Sequence, residues 1–166
     1  ATGRLALSLA VPPGLATSAF PPAGIAMAAV LIWGYRVWPG VLLGALLLNL
    51  THGPVSWDAA QGALCIAVGS TAQALLGAFL IHRLVCFPSA YDDRVAVGRF
   101  VLYSGPVACL TSATLSIAML WLMGFMTHDL LFNWFTWWVG DTIGVLVFLP
   151  LLLIAFGEPR DVWRRR

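Results

Sequence analysis

The segment from Leu130 to Phe156 restricts the fold more than any other part of the sequence. It is mostly apolar and contains a single charged side chain, Asp141. A run of this length and character can cross the ~30 Å hydrocarbon core of a bilayer as a helix. The rest of the chain agrees with this interpretation, since 60% of its residues are hydrophobic, only 10% are charged, and the mean hydropathy is +0.89. We therefore predict an all-α integral membrane protein.

Further apolar runs, separated by Pro, Gly and charged residues, predict a bundle of about six transmembrane helices. They are expected at Ala1–Val11, Pro21–Trp33, Val37–Asn49, Ala59–Leu84, Val95–Phe125 and Leu130–Phe156. The second and third are short helices, interrupted by Pro and Gly, that cannot cross the membrane alone. Gly105 and Pro106 predict a break or kink in the fifth.

The positions of the arginines predict the orientation of the bundle. Lys and Arg are enriched in the cytoplasmic segments of membrane proteins. All nine basic residues are arginines, and six crossings place all of them on one side, at Arg4, Arg36, Arg83, Arg94, Arg99, Arg160, Arg164, Arg165 and Arg166. We therefore predict that the N-terminus and the C-terminus are both cytoplasmic.

Asp141 is expected about 18 Å below the outer end of its helix, measured from Asp129. An ionised carboxylate at that depth costs at least ~2.5 kcal/mol, so Asp141 is either neutral or paired. Arg4 is the candidate partner. It lies within the membrane if the first helix ends at Pro12, and at the cytoplasmic surface if that helix ends near Phe20. Asp141 therefore either locks two helices through a buried hydrogen bond or forms a ligand or proton site, and both interpretations stay open.

Several side chains could line a site above Asp141 in the outer half of the bundle. They are Asn49, Asn133, Trp134, Trp137 and Trp138. We expect neither a catalytic site nor a metal site, because the sequence lacks the usual motifs for either.

Two glycine pairs with the spacing Gly-x-x-x-Gly, Gly40 with Gly44 and Gly140 with Gly144, predict close contacts between helices. The polar or small stripes that contain Gln73, Ser112 and Ser116 are interpreted in the same way, as packing seams.

Two stretches carry a resemblance to a known family. Residues 11–50 read VPPGLATSAFPPAGIAMAAVLIWGYRVWPGVLLGALLLNL, and residues 134–153 read WFTWWVGDTIGVLVFLPLLL. Both are similar to signatures of the MASE1 family, and the resemblance covers essentially the whole chain. One departure is Phe20, which stands where the family usually has a tryptophan before Pro-Pro-Ala-Gly.

The resemblance implies that residues 1–166 form a single integral-membrane sensory domain of the bacterial inner membrane, without catalytic activity of its own. Such domains precede histidine kinases or cyclic-di-GMP enzymes. We therefore expect the first helix to start upstream and an output domain to lie beyond the C-terminus. The expected partners are the bilayer, a second copy through the full-length protein, and a small-molecule ligand or membrane protein, but no nucleic acid. The resemblance implies no particular cofactor. The alternatives are a transporter-like solute-binding subunit and a structural anchor that sets dimer geometry.

Thiol labelling in intact cells tests the predicted orientation. Single cysteines are introduced into a background that lacks Cys65, Cys86 and Cys109, and a membrane-impermeant reagent is applied. Substitutions of Ser56 and Thr127 by cysteine are expected to label, whereas Arg36→Cys, Arg94→Cys and Arg166→Cys are expected to be protected. Labelling of Arg94→Cys without labelling of Ser56→Cys would overturn the six-crossing topology.

Overall fold

The structure is a computed structural model that describes residues 20–51, 56–84 and 94–156. Within these ranges the regular structure is helical throughout, which confirms the all-α prediction. The elements in chain order are α1 (Pro21–Trp33), a 3-10 turn (Tyr35–Val37), α2 (Trp38–Leu50), α3 (Trp57–Leu84), α4 (Arg94–Leu102), a π-helical segment (Tyr103–Val107), α5 (Ala108–Leu122) and α6 (Leu130–Phe156). The helix predicted at residues 1–11 lies outside the described residues.

Three helical stretches are long and apolar enough to cross a membrane. They are Trp57–Leu84, Val95–Leu122 and Leu130–Phe156. The apolar helices in Pro21–Trp33 and Tyr35–Leu50 are shorter, so the two short helices near the N-terminus are as predicted. The count of six crossings and the side of the membrane on which each terminus lies stay predictions.

Proline and glycine set the limits of the two short helices. Pro21 and Pro22 open α1 and Pro39 opens α2. Proline is favourable there because the first amides of a helix have no partner within it, and its φ is already helical. Gly34, with φ of 82°, follows the last residue of α1. A side chain at this φ would be strained, so the chain turns at Gly34 instead of continuing as one long helix.

The predicted break in the fifth helix is the π-helical segment between α4 and α5, which contains Pro106. A proline inside a helix removes one backbone donor and displaces the preceding carbonyls. In a membrane such groups have to find partners within the protein. The indole Nε1 of Trp138, on α6, donates to the carbonyl oxygen of Pro106 at 2.9 Å. The side chain of Trp138 thereby ties α6 to the irregular segment.

Four of the helices form a ring, and α2 lies against the outside of this ring. The most extensive contacts join α3 to α5, α1 to α6 and α2 to α3, while α1 also contacts α3 and α5 also contacts α6. The ring is therefore α1, α3, α5 and α6, with α2 packed mainly on α3. Although α1 and α2 follow one another in the chain, they contact each other only slightly.

The core of the ring has two apolar clusters. One contains Met27 of α1, Ile81 of α3 and Leu149 of α6, all fully buried. The other contains Cys65 of α3 and Ile117 of α5 among its buried residues. On α3, α5 and α6, the buried polar residues of the candidate site occupy the turns between these clusters.

The Gly140–Gly144 pair lies where α6 meets the start of α1. The backbone N–H of Phe20 donates to the carbonyl of Gly140 at 3.0 Å. The backbone of Phe20 also lies against Gly144, and Gly24 of α1 packs on the carbonyl of Gly144 and the side chain of Phe148. This contact depends on the absence of a side chain at Gly24 and Gly144, because an added Cβ would overlap neighbouring backbone atoms.

The Gly40–Gly44 pair does not make the helix contact that its spacing predicts. An added Cβ at either glycine would meet no atom within 4 Å. The two residues instead line a pocket beside α2. No described residue packs on this pair, so the expectation that it packs helices stays a prediction.

Alanine substitutions at the two glycine pairs are expected to differ in their effect. Gly144→Ala forces α6 away from Phe20 and should lower the stability by about 1–3 kcal/mol through overpacking. The matched control, Gly44→Ala, places the same methyl group in open space and should not reduce stability. Thermal unfolding in detergent micelles compares the two variants. Equal midpoints would show that the contact between α1 and α6 is not close.

Candidate functional site

The Asp141 carboxyl group is buried inside the ring, with a side-chain exposure of only 3%. It lies 11 positions after the first residue of α6, about 17 Å along the helix axis. Two donors are directed at it, the hydroxyl of Ser112 on α5 and the indole N–H of Trp137 one turn earlier on α6. The Ser112 hydroxyl faces the carboxyl without reaching good hydrogen-bond geometry. Asp141 thus joins α6 to α5 through polar contacts.

A second set of polar side chains extends from Asp141 to α3. The thiol of Cys109, on α5, lies near both Asp141 and the hydroxyl of Thr142. The amide Nε2 of Gln73, on α3, donates to the Cys109 sulfur at 3.2 Å. Gln73, Cys109, Ser112, Asp141 and Thr142, here called the polar layer, therefore connect three helices of the ring.

The polar layer contains several buried atoms that lack a hydrogen-bond partner. Gln73 Oε1, Ser112 Oγ and Thr142 Oγ1 are among them, and Ser116 Oγ nearby on α5 is another. A buried polar atom without a partner costs about 1–3 kcal/mol. The layer therefore retains buried acceptors and hydroxyl donors that the described residues leave unpaired.

The predicted pairing of Arg4 with the Asp141 carboxylate remains a prediction, because residues 1–19 lie outside the described part of the chain. The contacts that Asp141 makes with described residues are to hydrogen-bond donors and to the Cys109 thiol. Both of the interpretations given above for Asp141, a lock between helices and a ligand or proton site, fit these contacts.

Two of the three tryptophans of the predicted site, Trp134 and Trp138, anchor α6 through their indole N–H groups. Trp134 donates to Thr114 Oγ1 of α5 at 3.1 Å, and Trp138 donates to Pro106 as described above. Their rings stack with centroids 6.1 Å apart. Asn133, expected beside them, donates to the carbonyl of Asp129 at 3.1 Å, at the start of its own helix. The two tryptophans hold the N-terminal half of α6 against α5 and the π-helical segment before it.

Asn49 lies apart from the tryptophans. It lines a pocket of about 520 Å³ bounded by α1, α2 and α3, and the lining of this pocket includes none of Trp134, Trp137, Trp138, Asn133 and Asp141. The predicted site therefore divides, within the described residues, into the polar layer and this pocket.

Gln73 belongs to both parts, because it lines the pocket and its amide reaches Cys109. The sequence had suggested only a packing role for Gln73 and Ser112, and it gave no reason to select Cys109 or Thr142. The one available signal was the position of Gln73, a full-size polar side chain among glycines and alanines in the middle of an apolar helix.

The family model for MASE1 matches the chain over residues 1–166. The chain belongs to the MASE1 family. MASE1 is a family of membrane-associated sensory domains and not a catalytic one. No curated protein and no solved structure matches this MASE1 domain. The function of the site therefore has to be argued from its own geometry.

In this MASE1 domain the polar layer brings several hydrogen-bonding groups together at one level of the ring. A carboxyl, an amide, a thiol and two hydroxyls meet where three helices pack, and a shift of one helix changes which of them are paired. Gaining or losing one neutral hydrogen bond changes the free energy by about 0.5–1.5 kcal/mol, which is large enough to alter the populations of two helix arrangements.

The anchoring role of Trp138 can be tested by a conservative substitution. Trp138→Phe keeps an aromatic ring but leaves the Pro106 carbonyl without its indole donor, and should lower the stability by about 1–2 kcal/mol. The control Trp121→Phe changes a tryptophan of α5 that is 54% exposed and should have little effect. Thermal unfolding in the same detergent provides the comparison. If both variants unfold at the same temperature as the wild type, the hydrogen bond from the Trp138 indole does not hold α6.

Proposed function

We propose that this domain is a sensory input that binds a ligand or membrane partner and passes a helix rearrangement to a cytoplasmic signalling output. The output is a histidine kinase or a cyclic-di-GMP enzyme, and the protein resides in the inner membrane with both termini in the cytoplasm. The observation that carries the proposal is the buried Asp141 carboxyl, which joins α6 to α5 within the polar layer.

Helix α6 is the element that would transmit the change. It is a single helix of 27 residues from Leu130 to Phe156. Asp141 is 15 residues from its end, about 22 Å along the axis. A rotation or translation of α6 at the polar layer would pass along this continuous helix to Phe156, through Pro150, where one backbone hydrogen bond is missing. In a homodimer of the full-length protein, the two copies of α6 would move together.

The pocket beside α1 favours a ligand-binding domain over a purely structural anchor. Ligand pockets typically have volumes of ~300–1,000 Å³ and mostly apolar walls with a few polar groups. The pocket here has about 520 Å³ and polar groups at Asn49, Ser70 and Gln73. Gln73 is also a member of the polar layer, in which its amide donates to Cys109 of α5. An occupant of the pocket could therefore bias the packing of α5 and α6.

Substitutions of Asp141 in the full-length protein test this function. Asp141→Asn keeps an oxygen that can accept from Ser112 and Trp137, so we expect a mild effect on output. Asp141→Leu removes the acceptor at which the Trp137 indole and the Ser112 hydroxyl are directed, and should shift the balance between the two helix arrangements about tenfold or more. If Asp141 is instead paired with Arg4, Asn should be nearly as damaging as Leu, because a buried arginine is left without a partner.

Output activity is measured at matched abundance in the membrane. The control is Asp58→Leu, which removes an exposed carboxylate at the start of α3 and should leave output unchanged. Normal signalling from Asp141→Leu would contradict the proposed function.

A further inference from the structure

Three of the four methionines of the chain lie close together in sequence at the end of α5. They are Met119, Met123 and Met126. Gly124, with φ of 75°, lies just after the helix end, and the two amides that follow it donate to the carbonyl of Leu120 at 2.9 and 3.3 Å. This turn is a Schellman motif, which returns the chain towards the helix that it ends. Met126 is therefore folded back against α5 instead of extending away from the bundle.

The thiol of Cys65, on α3, lies against these methionines. Cys65 is 1% exposed, and its Sγ donates to the Sδ of Met123 at 3.5 Å. Met126 is buried in the same cluster as Cys65, and Met119 packs against that cluster. One thiol and three thioether side chains, here called the sulfur cluster, therefore gather near the start of α3 and the end of α5.

The ligands in the sulfur cluster favour a soft monovalent metal ion. Thiolate and thioether ligands select Cu(I). Zn²⁺ also binds thiolates, but its structural sites are built from several Cys and His ligands. Among the described residues, no group of three or more His, Cys, Asp and Glu side chains could hold a metal. One thiolate with neutral thioethers makes Cu(I) a neutral site, whereas a divalent ion would leave a costly buried charge.

The separation of the sulfur atoms suits a shared ion. Two sulfurs that each lie about 2.3 Å from one ion, at a tetrahedral angle, are about 3.8 Å apart. The Sγ of Cys65 and the Sδ of Met123 are already within 3.5 Å of each other. Methionine is unbranched and flexible, so its sulfur can adjust to an ion. The side chain of Met123 is also 51% exposed, which gives an ion a route to the buried thiol.

We propose that Cys65, Met123 and Met126 bind Cu(I) at this end of the bundle. The ion takes the place of the thiol proton, which is released to water, and the Met123 thioether that accepts from the thiol becomes a ligand. Bound Cu(I) would fasten α3 to the turn after α5. The site is separate from the polar layer and from the pocket beside α1, and its binding of metal does not depend on the proposed function.

Competition for Cu(I) under anaerobic conditions tests the proposal. The full chain in detergent micelles is mixed with the coloured Cu(I) complex of ferrozine, and the loss of colour reports transfer of the ion to the protein. We expect transfer of one equivalent, and an X-ray absorption spectrum with sulfur ligands at about 2.3 Å. Retention of Cu(I) by ferrozine, or a shell of nitrogen or oxygen ligands, would overturn the proposal.

Conservative substitutions locate the ligands. Cys65→Ser should raise the Kd for Cu(I) by more than ~100-fold, since loss of an outer-shell partner alone costs ~10–100-fold. Met123→Leu and Met126→Leu keep the apolar volume and should each raise the Kd about tenfold or more. The matched controls are Met27→Leu and Cys109→Ser, which change a thioether and a buried thiol outside the sulfur cluster and should leave the Kd unchanged.

The methionine variants separate a built site from a reactive thiol. A Kd that Met123→Leu and Met126→Leu both leave unchanged would assign the ion to a thiol alone and contradict the proposal. Loss of binding in Cys109→Ser but not in Cys65→Ser would move the ion to the polar layer and contradict it as well. If Cys65→Ser does not fold, the two methionine variants and their Met27→Leu control still decide.

Discussion

The need to keep polar groups of the membrane-embedded chain paired within the protein governs this structure. Water is absent from the hydrocarbon core, so an unpaired backbone or side-chain group has no alternative partner there. Asp141 is the most demanding case, and the donors at Ser112 and Trp137 are directed at it from two helices. The irregular backbone at Pro106 imposes the same demand, and Trp138 supplies a donor. Trp138 meets the requirement at Pro106, whereas around Asp141 the Ser112 hydroxyl stays without a hydrogen bond.

Helix α6 consequently has different attachments on its two sides. On the side of α5 the contacts are polar and directional, through Trp134, Asp141 and Trp138. On the side of α1 they are mainly steric, with Gly24 and Gly144 in close backbone contact, beside one backbone hydrogen bond from Phe20 to Gly140. Hydrogen bonds can be exchanged when a helix shifts, whereas a close glycine contact permits little separation. On the proposed function, α6 would move along or around its contact with α1, and the pairing within the polar layer would change with it.

The limits of the helices could be predicted because they depend on local features. The apolar run to Phe156, the prolines at the start of α1 and the break at Pro106 are all visible in the sequence, and the structure has them where expected. The neighbours of each helix could not be predicted. Gly40–Gly44 and Gly140–Gly144 have the same spacing, yet only the second pair faces a backbone. The sequence predicted one site that contains both Asn49 and Asp141. Asn49 is on α2, which lies outside the ring, and it lines the pocket instead.

Because α2 lies outside the ring, the pocket residues on α2 are separate from the contacts that hold the ring together. Many binding proteins use the same residues for both purposes. The contacts that hold α1, α3, α5 and α6 together do not pass through the wall formed by Gly40 and Gly44, where an added side chain would meet open space. Substitutions on this wall can therefore reshape the pocket while the ring stays intact. A family built on this plan could change the molecule it recognises by single replacements in α2, and retain the same route through the polar layer to α6.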